Sequence, residues 1–276
     1  MYKTLIDFNS LLNQLDNNNL VIFDVRYDLM NKSAGREAYS LSHIPGAIYV
    51  DLGLDLSRKP STNRSRHPLP QTETMNKLFS ELGINSNKQV IIYDNVFGAF
   101  AARLWWMLNH MQHKRVAVLD GGWQQWINLQ GPTCSKIEKP KESKFNNAAM
   151  NDSVVCIERV RNFDLIIDSR EPSRYRGDSE PIDKKAGHIP NAINRFWKNN
   201  LNNSGLFKEQ NILVEEFEEL FGETSSENAV FYCGSGVTAC HNLLAAVHAG
   251  FNLPRLYAGS WSEWCATSGK EIAVSN

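Results

Sequence analysis

The stretch LVIFDVR, residues 20–26, returns as LIIDSR, residues 165–170, with Asp24 answered by Asp168 and Arg26 by Arg170. Three further landmarks follow in the same order in each copy. SHIPGAI at 42–48 is answered by GHIPNAI at 187–193, and QVIIYD at 89–94 by AVFYC at 229–233. Gly122-Trp123 with Trp126 is answered by Ser260-Trp261 with Trp264. The offsets lie between 138 and 145, near half of the 276-residue length. Ordered landmarks at a near-constant offset indicate a duplicated domain. Between the copies lies GPTCSKIEKPKESKFNNAAMND, with two prolines, a glycine, many charges and no helical period. Such composition suits a surface linker. The expected organisation is a first domain over 1–130, a linker over 131–150 and a second domain over 151–276.

Within each copy the apolar runs are short and β-branched: VIFDV, QVIIYD and RVAVLD in the first, DLIIDS and NAVFYC in the second. They alternate with helix-like stretches such as TETMNKLFSELGI, AARLWWMLNHM, LVEEFEELFG and ACHNLLAAVHAG. Wholly apolar strands between helices predict a parallel sheet covered on both faces. The fold class is therefore α/β, twice over. In such sheets reactive loops gather at the carboxyl ends of strands. Asp94 and Cys233 each stand at such an end.

Composition narrows the function classes. The 29 basic residues nearly balance the 30 acidic ones, for a formal net charge of −1, and hydrophobic residues make up 42%. These are globular values. No apolar run approaches the ~20 residues of a membrane span, and the amino terminus shows no signal-peptide pattern. Apart from KPSTNRSRH (59–67) and KIEKPKESK (136–144) there is no basic cluster. Neither a membrane nor a nucleic-acid partner is expected. The five cysteines, Cys134, Cys156, Cys233, Cys240 and Cys265, are odd in number, scattered and free of any C-x-x-C. That pattern fits neither a disulfide framework nor a structural zinc site. A cytoplasmic location and no bound metal are expected.

The chemistry points to CGSGVTAC, residues 233–240, between a strand and a helix. Gly234 and Gly236 allow a tight curl that turns backbone N–H groups inward at a helix N-terminus, a setting that favours an anion. A thiolate there should have a depressed pKa, as a reactive cysteine at neutral pH requires. A cysteine-dependent phosphatase would need C-x5-R to grip the phosphoryl oxygens. Ala239 stands at that arginine position, which argues against phosphoryl transfer.

Together the paired domains, the H-I-P-G-A and H-I-P-N-A segments, the D-x-R strand ends and CGSGVTAC resemble the two-domain rhodanese-type sulfurtransferases over nearly the whole chain. The resemblance implies two tandem rhodanese-like domains. In that family the first domain is catalytically silent, in keeping with Asp94 at the cysteine position. Within the family, thiosulfate-preferring members carry C-R-K-G-V-T, whereas C-G-S-G-V-T is similar to the 3-mercaptopyruvate form. The resemblance then implies transfer of sulfur from this small-molecule donor through a Cys233 persulfide to an acceptor. The acceptor would be thioredoxin, a small thiol or, in the test tube, cyanide, and no cofactor is needed. Gly234, Gly236, Val237 and Thr238 would line the anion cradle.

Further roles are carried over residue by residue. Ser235 matches the serine of a Ser-His-Asp relay, for which YVDLGLDLSRKPSTNRSRHPLPQTE offers His67 and Asp51. Arg174, just after the second D-S-R, matches a substrate-carboxylate arginine. A second such arginine is missing near Asp183, where Lys184 or Lys185 could supply a point charge without a bidentate fork. Arg103 matches a first-domain arginine facing the cleft. The histidines His43 and His188, the Asp-Arg pairs and the tryptophans read as structural. Two alternatives stay open: a thiosulfate:cyanide sulfurtransferase, and a non-catalytic sulfur-sensing module.

Overall fold

A computed structural model describes residues 1–59 and 65–275. It divides into two compact units, each built on one parallel sheet. Unit 1 holds residues 1–58, 70–150 and 204–206. Unit 2 holds residues 151–203 and 207–275, and also residues 59 and 65–69 from the amino-terminal half. Of the basic stretch 59–67, residues 60–64 lie outside the described residues.

In unit 1 the order is β1 (Leu5–Ile6), α1 (Phe8–Leu12), β2 (Leu20–Asp24), α2 (Ala34–Leu41), β3 (Ala47–Tyr49) and α3 (Thr72–Glu81). Then come β4 (Gln89–Tyr93), α4 (Ala101–His110), β5 (Val116–Leu119) and α5 (Gly122–Asn128). The sheet runs β1-β5-β4-β2-β3, with every pairing parallel. In unit 2 the order is β6 (Leu165–Asp168), α6 (Pro172–Arg176), β7 (Ala192–Asn194) and α7 (Gln210–Phe221). It continues through β8 (Ala229–Tyr232), α8 (Ala239–His248), β9 (Arg255–Leu256) and α9 (Ser260–Trp264). This second sheet, β7-β6-β8-β9, repeats the path of β3-β2-β4-β5. The α/β class read from the apolar runs is what the chain forms. Among the described residues no helix is long and apolar enough to cross a membrane.

The sequence pattern explains which elements are central. β4 and β8 are buried along their full lengths, as strands covered on both faces must be. The helices that follow them, α4 and α8, are apolar nearly all round and almost wholly buried. α7 is the contrast: Leu213, Phe217 and Phe221 recur at four-residue spacing on one buried face, while Glu215, Glu218 and Glu219 are exposed. Each such side chain contributes about 1.5–3 kcal/mol on burial. Residues 131–150 form no regular element and run over unit 1, where Phe145 is buried edge-on to Phe79, with ring centroids 5.2 Å apart.

The duplication extends to individual hydrogen bonds. At the end of β2, Asp24 pairs with Arg26 at 2.6 Å, and at the end of β6, Asp168 pairs with Arg170 at 2.6 Å. Arg26 lies over Trp123 at 4.3 Å, and Arg170 over Trp261 at 4.6 Å. Tyr93 Oη accepts the Ile44 N–H, and Tyr232 Oη accepts the Ile189 N–H. His43 stacks on Tyr39 at 4.0 Å and His188 on Tyr175 at 3.9 Å, each with Nδ1 against that tyrosine's carbonyl. The repeated landmarks are thus joints that hold each strand end to the segment crossing it.

A buried ion pair is costly to halve, because the remaining charge loses its partner. Arg170 is 2% exposed and also bonds Glu180 and the Gly187 carbonyl. Arg170→Met should lower the unfolding free energy by about 3–5 kcal/mol in urea titration. A loss under about 1 kcal/mol would mean that the pair is not what closes this strand end.

Candidate active site

β8 ends at Tyr232, and the chain curls through residues 233–238 before α8 begins at Ala239. Cys233 is 2% exposed at the first position of the curl. Gly236 has φ +76°, and a Cβ there would stand 2.5 Å from the Ala258 carbonyl oxygen, so only glycine fits. Burial pushes the Cys233 thiol up, but hydrogen bonds from the Thr238 side chain and the N–H groups of Ser235, Ala239 and Val237 outweigh it. The net direction is downward, toward the thiolate.

The matching loop of unit 1 carries a carboxylate in place of the sulfur. Asp94 Oδ1 accepts the N–H groups of Val96 and Gly98 at 2.8 and 2.9 Å, and Oδ2 those of Phe100 and Ala101 at 2.7 and 2.9 Å. Counted from Asp94 and Cys233, the donors at the second, fourth and sixth positions coincide. Both copies therefore build the same nest of inward N–H groups and fill it with an acidic side chain.

The start of α9 fixes the back of the Cys233 loop. Trp261 N–H donates to the Cys233 carbonyl at 3.0 Å, and Ser262 N–H to that of Gly234 at 2.9 Å. Cys233 N–H donates to Ser260 Oγ at 3.2 Å, and that hydroxyl donates to the Tyr257 carbonyl at 3.0 Å. Ser260 adopts φ +56°, which costs a non-glycine residue roughly 1 kcal/mol or more. In unit 1 the same φ, +56°, belongs to Gly122. Ser260 was not singled out for the site from sequence, although the repeat pairs it with Gly122 and so marks the exchange.

Residues 65–67 lie against this loop as part of unit 2. Ser65 Oγ donates to the Ser235 carbonyl at 3.2 Å, and Arg66 N–H to Ser262 Oγ at 3.3 Å. His67 Nδ1 is 2.8 Å from Ser235 Oγ, with both side chains buried. The structure thus brings together Cys233, Ser235, His67 and Thr238. Gly234 carries Arg174 beside it: a Cβ there would be 3.5 and 3.6 Å from its Nη2 and Nη1. Arg66 stands closer still, its Nη2 at 2.9 Å from the same point. Sequence reading passed over Arg66, since an arginine in a polar loop gives no local sign of its partners.

Other expected residues are placed elsewhere. Lys184 is exposed, and its backbone N–H bonds the Cys265 sulfur rather than the cysteine loop. The cation beside Gly234 comes from Arg66 instead. Asp51 and Arg103 belong to unit 1. Asp51 is buried, and its Oδ1 accepts the N–H groups of Gly53 and Leu54 in its own turn. Arg103 is fully buried on α4 and donates to the Leu56 carbonyl. Cys240 is buried on α8, with its sulfur 3.5 Å from the Gly236 carbonyl. Among the described residues no three His, Cys, Asp or Glu side chains cluster to hold a metal ion.

Comparison with known proteins agrees with this architecture. The rhodanese-like domain model matches residues 7–129 and again residues 155–267. The chain is 38% identical over 282 residues to a probable 3-mercaptopyruvate sulfurtransferase of Pseudomonas aeruginosa, covering 99% of this chain and 98% of that one. It is 30% identical over 271 residues to a thiosulfate sulfurtransferase of Rattus norvegicus, covering 93% and 88%. It resembles the crystal structure of SseA from Escherichia coli, a 3-mercaptopyruvate sulfotransferase, with a TM-score of 0.79 and 30% identity, over 95% of this chain and 100% of that one.

The nest makes a measurable claim about the thiol. The pH midpoint of alkylation by iodoacetamide, followed at the Cys233 peptide, should fall below the ~8.5 of an ordinary cysteine. Thr238→Val removes the side-chain donor and should raise that midpoint. An unchanged midpoint would show that the backbone N–H groups hold the thiolate alone.

Proposed function

The chain belongs to the rhodanese-like family and is a sulfurtransferase, and we propose that its donor is 3-mercaptopyruvate and its working intermediate a persulfide on Cys233. One observation carries the proposal: an anion-stabilised sulfur stands in the same loop as a Ser235 hydroxyl held 2.8 Å from His67. A thiolate alone would serve several sulfur chemistries. An adjoining hydroxyl–imidazole pair adds a route for a proton, which a mercaptopyruvate donor needs and thiosulfate does not.

In the proposed first half-reaction the Cys233 thiolate attacks the donor sulfur. The carbon–sulfur bond breaks, its electron pair leaves with pyruvate as the enolate, and the Ser235–His67 pair takes the proton of the donor thiol and delivers it to the enolate carbon. Cys233 is left as a persulfide, whose outer sulfur keeps the negative charge in the nest formed by Gly234, Ser235, Gly236, Val237, Thr238 and Ala239. In the second half-reaction an acceptor thiolate attacks that outer sulfur and Cys233 departs as the thiolate. A thioredoxin or a small thiol would meet this need, and the transfer as written uses no metal or organic cofactor. Arg174 would hold the donor carboxylate. The roles carried over for Asp51 and Arg103 rest on the family likeness alone, and the lack of a thiol where Asp94 stands supports a silent amino-terminal unit.

Thiosulfate is the second reading. The observation favouring it is the pair of guanidinium groups beside Gly234, which suits any dianion, and relatives of this chain include thiosulfate sulfurtransferases. The sulfurtransferase relatives leave no room for a purely sensing module.

Thiocyanate formation with cyanide separates the donors. The purified protein should favour 3-mercaptopyruvate over thiosulfate in kcat/KM, and Cys233→Ser should abolish transfer from both. A preference for thiosulfate would keep Cys233 and discard the donor assignment. Ser235→Ala should lower kcat with mercaptopyruvate by about a hundredfold while sparing thiosulfate. An equal loss on both donors would make Ser235 a structural part of the loop.

A further inference from the structure

The anion nest accounts for the sulfur, yet a second set of cations converges beside it. Arg66 and Arg174 approach Gly234 from different segments, one from residues 65–69 and the other from α6. Between them lies Asp183. Arg66 Nη1 pairs with Asp183 Oδ1, and Arg174 Nη2 with Asp183 Oδ2 at 3.2 Å. One carboxylate therefore bridges two guanidinium forks. Arg174 is in addition held from behind by Glu180, with Nε to Oε1 and Oε2 at 3.1 Å and Nη2 to Oε1 at 2.7 Å. Glu180 in turn is fixed by Arg170 at 3.1 Å and by the N–H groups of Ile182 and Asp183.

The two arginines differ in how they are tethered. Arg174 is locked by Glu180 and its side chain is 15% exposed. Arg66 has Asp183 as its ion-pair partner and its side chain is 29% exposed, the more exposed of the two arginines. Gly234, the residue that follows Cys233, has no side chain, and the two forks lie directly against it, where a Cβ would press on Arg66 Nη2 at 2.9 Å. A planar anion that takes the place of the Asp183 carboxylate meets two guanidinium groups whose geometry suits a carboxylate bidentately.

We propose that Arg66 is a specificity-determining residue that grips the donor's carboxylate together with Arg174, and that Asp183 occupies this clamp until the donor arrives. The inference rests on the reading of an α-keto acid donor at Cys233 and names the group that recognises it. Asp183 is the internal stand-in, an acid on the chain bridging the same two forks. Donor binding exchanges one carboxylate for another at the two forks, while Arg174 keeps its pairing with Glu180.

Two measurements test this without depending on each other. In steady-state assays Arg66→Lys, which keeps charge but loses the fork, should raise the mercaptopyruvate KM by roughly tenfold or more, with kcat changed by less than about threefold. The second uses no sulfur donor. Iodoacetate and iodoacetamide alkylate the same thiol and differ in a carboxylate, so the ratio of their rates at Cys233 reports the clamp directly. Arg66→Met should cut that ratio by roughly tenfold or more, through the iodoacetate rate alone. A ratio unchanged in Arg66→Met overturns the proposal, as does an unchanged KM in Arg66→Lys. If the ratio falls but the wild-type protein ignores mercaptopyruvate, the clamp stands and the donor reading fails.

Discussion

Inward-turned backbone N–H groups at the end of a central strand have to be satisfied, and water does not reach them. Each copy of the fold meets that demand with an acidic side chain at the strand's last turn. In unit 1 four N–H groups converge on the Asp94 carboxylate, and in unit 2 the same cradle receives the Cys233 sulfur. The nest is thus older in the logic of the fold than the chemistry, since it forms around either occupant. A carboxylate completes it without reactivity. A thiolate completes it and remains a nucleophile.

The second constraint is the support behind the nest. Ser260 replaces Gly122 at an unchanged left-handed φ, accepting strain to place a hydroxyl on the Cys233 N–H. Beside the nest stand the Ser235 hydroxyl, 2.8 Å from His67, and the guanidinium groups of Arg66 and Arg174. Sulfur chemistry here is a matter of adding side chains to a backbone device that was already anionic in character.

Much of the fold was legible because the chain states it twice. Asp24 and Arg26, His43 and the Gly122-Trp123 pair each have a partner at a steady offset, and each proves to be a joint of the sheet. The Cys233 loop was legible because its chemistry is local, resting on two glycines and a helix start. The rest depends on contacts that no spacing announces. His67 meets Ser235 across 168 residues of chain, and only likeness to a family pointed there. Arg66 reads as a solvated charge in a polar loop, while Lys184, near in sequence to the arginine network, projects into solvent. Charge location was decided by which segment the fold lays over the loop, and that is a tertiary fact.

The assignment of residues 65–69 to unit 2 has a consequence for the order in which the protein becomes an enzyme. His67 among them is synthesised 166 positions before Cys233. At roughly 5–20 residues per second, that interval is about 10–30 seconds on the ribosome. During it the amino-terminal half can complete its own sheet, but His67 and Arg66 wait for a partner that does not yet exist. The reactive cysteine, when it emerges, finds its helpers already made, and α9, which braces the loop from behind, comes last of all. A nascent chain therefore lacks a braced Cys233 loop until α9 has been made, and one that stops short of α9 never has it.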